Sequence, residues 1–149
     1  MITLNYTGNR LPRALGLAGV LPFIAMGLLS YIPWKHQVDV HAALVSYGAV
    51  ILAFVGALHW GLAMRLEGTV ASRAYFWSVI PALIAWVALM FPTLGGALIV
   101  IVGLWTHYVQ DNLIIGELNA PAWYLPLRRQ LTAGATVGIA IALPALWTL

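Results

Sequence analysis

The chain has 149 residues, 62% of them hydrophobic and 7% charged, with seven Lys and Arg against four Asp and Glu and a formal net charge of +3. A soluble domain usually carries about a quarter charged residues, so this sequence excludes an open aqueous exterior. The absence of cysteine excludes a disulfide framework, a zinc-finger lattice and a thiol nucleophile.

At roughly 20 residues per spanning helix, the length holds about five helices with short loops and leaves no separate catalytic domain. The expected fold is therefore all-α: a polytopic five-helix transmembrane bundle, with a leader at 1–13 and spans near 14–31, 42–64, 74–90, 94–110 and 131–149. Arg10 and Arg13 precede the first apolar run as in a secretory signal. That run is long, however, contains Pro22, and ends in Tyr31-Ile32-Pro33-Trp34 instead of a small-residue cleavage pattern. In the second span Ala49, Ala53, Ala57 and Gly61 recur every four positions, with Gly48 and Gly56 beside them. Small residues let helices approach closely where lipid gives no hydrophobic drive for association, which predicts a central helix. Pro81 interrupts the third span. The fifth carries Gly134, Gly138 and Ala142 at the same spacing.

Basic residues orient the bundle. With five spans, Arg10, Arg13, Arg65, Arg73, Arg128 and Arg129 share one face, and Lys35 stands alone on the other. The positive-inside rule then puts the N-terminus in the cytoplasm and the C-terminus outside, with a bacterial cytoplasmic (inner) membrane the simplest home for a multi-pass chain. The arginines are dispersed at helix ends, where they suit anionic headgroups, so no nucleic acid is expected as a partner.

Polar groups inside the spans are the candidates for function, because they are costly in hydrocarbon. His59 and His107 fall on helices running in the same direction, at similar depth. Two such imidazoles are what axial ligation of a haem requires, or part of a metal site; the plainer reading has each one bonding a carbonyl or headgroup, and no metal is expected. Asp111 closes the fourth span and is expected to pair with Arg65 or Arg128. Outside, His36, Asp39 and His41 read as a solvated loop, Asp39 serving near a helix start. No nucleophile-and-base pattern, phosphate-cradling loop or pair of buried carboxylates is present, and no enzyme activity is expected.

The segment from Ser46 to Ala63, with its Gly48-Ala49, Gly56-Ala57 and His59-Trp60-Gly61 steps, resembles the signature of the transmembrane protein 69 family. A second block matches at Pro121-Ala122-Trp123-Tyr124-Leu125-Pro126-Leu127-Arg128-Arg129, and Asp111 resembles a family position. Ala53 and Pro126 depart from the family's usual residues. The resemblance implies a multi-span inner-membrane protein and little about chemistry. Read physically, the first block is a thin helix with Tyr47 and Trp60 at its interfacial ends. The second is an interfacial anchor, with Trp123 and Tyr124 at headgroup depth and Arg128 and Arg129 fixing the inside end. The expected role is that of an accessory or assembly subunit of a larger membrane complex, such as a respiratory one, through a membrane-protein partner or self-association; the alternative is an intramembrane binder of haem, quinone or another hydrophobic cofactor through His59 and His107.

Overall fold

The computed structural model describes residues 10–32, 37–91, 93–117 and 120–147, and among them all regular structure is helical. The helices are α1 (Arg10–Ala18), α2 (Leu21–Leu29), α3 (Gln37–Ala63), α4 (Gly68–Leu89), α5 (Leu94–Ile114) and α6 (Tyr124–Trp147). Taken together, α1 and α2 form one crossing from Arg10 to Leu29, so five segments are long and apolar enough to span a bilayer. The five-span bundle expected from composition is thus present.

The ends of the spans differ from the sequence reading in one consistent way: helices run past the charges taken as their limits. The first begins at Arg10, the third at Gly68 and the fifth at Tyr124, while the fourth continues to Ile114. Arg73, Asp111, Arg128 and Arg129 are therefore all helical. Straight-chain residues such as Arg cost little in a helix, so a charge marks the end of the apolar run and not the end of the helix. The second helix likewise starts at Gln37, which puts Asp39 in its first turn and makes His41 a fully buried helical residue, not part of a solvated loop. Lys35 and His36 lie outside the described residues.

Pro22 breaks the first crossing. It sits in the first turn of α2, where its missing N–H does no harm, and the chain turns through Gly19 and Val20 just before it. The Tyr47 hydroxyl donates to the Gly19 carbonyl at this break over 2.8 Å, and its ring packs edge-on against Phe23 at 4.9 Å. Tyr47 is thus a brace within the bundle, not an interfacial cap; Trp60 is half exposed and packs on Tyr75.

The helix α3 is central, touching α2, α4, α5 and α6. Its inward face is Leu44, Val45, Gly48, Ala49, Leu52, Val55, Gly56, His59 and Ala63, all buried. That face follows 3.6 residues per turn, whereas a four-residue repeat advances about 40° per step. The Ala49–Gly61 stripe accordingly rotates off it: Ala49 is buried, Ala53 partly so, and Ala57 and Gly61 face outward. Gly48 seats Val100 of α5, and Gly56 lies against the ring of Pro81 and the Ser78 carbonyl of α4.

On the other side, α1 and α2 run parallel to α6. Gly16 receives Leu131, Gly134 receives Val20, and Gly138 lies against the Phe23 backbone, while Tyr31 donates to the Ile141 carbonyl at 2.6 Å. A Cβ at Gly138 would stand 2.6 Å from the Phe23 carbonyl carbon, whereas one at Gly61 meets nothing within 4 Å. Gly138→Ala should therefore lower the unfolding temperature in detergent, by overpacking worth about 1–3 kcal/mol. Gly61→Ala should leave it unchanged within about 0.5 kcal/mol; equal effects would contradict this packing.

Candidate functional site: a buried carboxylate at the meeting of four helices

Asp111 has no exposed surface. It lies on the inward face of α5 that also carries Gly96, Ala97, Val100, Gly103, Leu104, His107 and Ile114, positions that share a side at 3.6 residues per turn. Leucine-like residues on such a face would need no partner; a carboxylate needs several. It accepts from Nε2 of His59 at 2.6 Å on Oδ1, from Nε of Arg128 at 2.9 Å on Oδ2, and from the Tyr124 hydroxyl at 3.3 Å on Oδ1. Tyr124 and Arg128 are one turn apart on α6, so one face of that helix supplies two donors, and α3 supplies the third.

The second histidine is held differently. Nε2 of His107 is 3.9 Å from the Asp111 carboxylate, beyond hydrogen-bond reach, and lies 3.0 Å from the Val55 carbonyl of α3. Its other nitrogen, Nδ1, takes the indole N–H of Trp77 on α4 at 3.0 Å. An indole can only donate, so Nδ1 carries no proton and the neutral ring keeps its proton on Nε2, where it donates to Val55. The two imidazoles touch, with ring centroids 4.7 Å apart. The polar cluster therefore ties together α3, α4, α5 and α6.

This geometry bears on the cofactors considered from sequence. His59, His107 and Asp111 present ligand atoms within 4.8 Å of one another. A metal needs free lone pairs, and here Nε2 of His107 carries the proton, Nδ1 is occupied by Trp77, and the Arg128 guanidinium offsets the carboxylate charge. Two imidazoles in direct contact also leave no thickness for a macrocycle between them. What remains open is hydrogen-bonding capacity: Nδ1 of His59 and one terminal nitrogen of Arg128, Nη2, are buried without a hydrogen-bond partner.

Of the residues singled out by sequence, the structure brings His59, His107, Asp111, Tyr124 and Arg128 into one cluster. Arg128 is the arginine that pairs with Asp111, and it and Tyr124 are buried parts of the bundle and not interfacial anchors. Arg129 points outward and Trp123 is half-buried. Trp77 and the Val55 carbonyl were not foreseen. The available signal for Trp77 was an indole inside a span, whose N–H needs an acceptor once buried.

The chain matches the family model described as "Protein of unknown function (DUF3429)" over residues 9–144. It belongs to that family. It is similar to Transmembrane protein 69 of Xenopus tropicalis, 35% identical over 130 residues that make up 84% of this chain and 50% of that protein. It is also similar to Transmembrane protein 69 of Mus musculus, 30% identical over 130 residues covering 85% and 53%. The chain thus spans about half the length of these curated relatives. No solved structure matches it.

The tautomer assignment gives a direct check. Nitrogen-15 NMR of histidine-labelled protein should show His107 as the Nε2–H form, and Trp77→Phe should remove that fixation by deleting the indole donor. A ring that is Nδ1–H in the wild type would contradict the network.

Proposed function

We propose that this family member is a non-enzymatic accessory or assembly subunit of a larger membrane complex, such as a respiratory one, in a bacterial cytoplasmic membrane, with its N-terminus inside and its C-terminus outside. The orientation is supported by the basic residues at one face: with Arg128 committed to Asp111, Arg10, Arg13, Arg65, Arg73 and Arg129 still stand against Lys35.

The observation that carries the role is the way the chemically capable groups are used. Asp111 accepts from three side chains and both nitrogens of His107 are engaged, so these groups brace helices. Meanwhile the central helix α3, in contact with four others, keeps an outward strip where Ala57 and Gly61 present almost no side chain. Close approach to such a surface suits another transmembrane helix.

Because the sequence has no cysteine, Gly61→Cys introduces a unique thiol. A thiol-reactive photocrosslinker there, used in native membranes, should yield an adduct with another membrane protein, and Val102→Cys on the outer side of α5 should not. Recovery of the monomer alone from both variants would contradict the assignment.

The two open polar atoms, Nη2 of Arg128 as a donor and Nδ1 of His59 as an acceptor on the ring that donates from Nε2, favour a second reading: a hydrophobic cofactor that offers both a carbonyl and a hydroxyl, such as a quinone and its quinol. On that reading a quinone co-purifies from native membranes and its yield falls several-fold in His59→Ala. A quinone-free preparation of folded protein would dispose of it.

A further inference from the structure

We propose that the cleft between α1 and the start of α6 binds the phosphate headgroup of an anionic phospholipid, held by Arg13 and Gln130. The cleft has a volume of about 130 Å³ and is lined by Arg13, Trp123, Pro126, Leu127 and Gln130. This is several times the ~30 Å³ share of one water in the liquid, and so admits a phosphate group. It lies apart from the Asp111 cluster and does not rest on the function proposed above.

Position comes first. Because α1 and α6 run parallel and both begin at this end, Arg13 and Gln130 share one membrane face with the indole of Trp123, a side chain suited to headgroup depth. The helix α1 has no buried residue; Leu17, one turn from Arg13 on the same side of the helix, and Leu11 and Leu15 on the opposite side are exposed. In a bilayer those leucines meet acyl chains, so a lipid can enter from the side with its tails along α1 and its headgroup in the cleft.

Charge decides the class of lipid. Arg10, one turn before Arg13, and Arg129, next to Gln130 in the chain, are exposed. Among the described residues no carboxylate is paired with Arg10, Arg13 or Arg129; Asp111 is paired with Arg128 and Glu117 with Arg73. Three guanidinium groups without counter-charge repel the ammonium of a zwitterionic headgroup and attract a headgroup of net negative charge. Arg presents a planar fork of donors that matches phosphate oxygens, and the Gln130 amide adds a neutral donor. Basic pockets between helices at a membrane face bind anionic headgroups on the same physical grounds.

The test uses the full chain in mixed micelles of phosphatidylcholine with a minority of phosphatidylglycerol, the retained lipid being counted by native mass spectrometry. Phosphatidylglycerol should be retained in preference to phosphatidylcholine. Arg13→Gln should reduce that retention roughly five-fold with no change in unfolding temperature, and Gln130→Ala should reduce it in the same direction. Arg65→Gln, which removes an equal charge from an exposed site away from the cleft, should leave retention unchanged. Equal losses in Arg13→Gln and Arg65→Gln would reduce the effect to bulk attraction and overturn the site. So would an absence of lipid preference, or full displacement of the lipid by millimolar inorganic phosphate, which would mark a site for the free anion.

Discussion

A carboxylate with no exposed surface, in a protein whose surroundings are hydrocarbon, must be answered by charge and by hydrogen bonds from within the chain. Asp111 imposes that requirement on this bundle. Its answer comes from α3 through His59 and from α6 through Arg128 and Tyr124, so the relative positions of three helices are set by the reach of three side chains. Water is absent from the hydrocarbon, and apolar contacts between helices gain little over contacts with lipid tails. Under those conditions directional polar contacts and close glycine packing do much of what apolar burial does in a soluble core.

The two kinds of contact divide the molecule. Where α3 meets α4 and α5, and where α2 meets α6, glycines at 48, 56 and 138 bring backbones together against Val100, Pro81 and Phe23. Further along the same helices, the faces carry His59, His107, Asp111 and Arg128 in place of glycine and leucine. The histidines are bonded in complementary ways: His59 serves the carboxylate, and His107, one turn from Asp111 on its own helix, serves the Val55 carbonyl and receives Trp77 from α4. The fourth helix thereby joins the cluster without touching the carboxylate.

Much of this was legible in the sequence because charge is so scarce. With four acidic residues in the chain, a carboxylate near the end of an apolar run had few basic partners, and the sequence narrowed them to Arg65 and Arg128. The common depth of His59 and His107 followed from helix direction and rise per residue. Helix limits were less legible, since an arginine neutralised by a distant residue reads locally as a loop; Arg128 lies four residues inside α6 because Asp111 makes its burial tolerable. The small-residue stripe misled for a geometric reason: a repeat of four slides around a helix of 3.6 residues per turn, so Ala49 packs inward while Gly61 faces out. The tyrosine at 47 was read by its chemical type as interfacial, and only the break before Pro22 explains why its hydroxyl is needed inside.

The central claim is that Asp111 and Arg128 hold one another in the interior of the bundle. A double-mutant cycle in detergent, with Asp111→Leu, Arg128→Leu and the pair together, measures that directly through unfolding free energies. Breaking a buried ion pair from one side costs about 3–5 kcal/mol, whereas replacing both partners with apolar residues is often close to neutral. The account predicts two strongly destabilised single variants and a double variant substantially more stable than either. Single effects near zero, or a double variant whose loss equals the sum of the two, would contradict it.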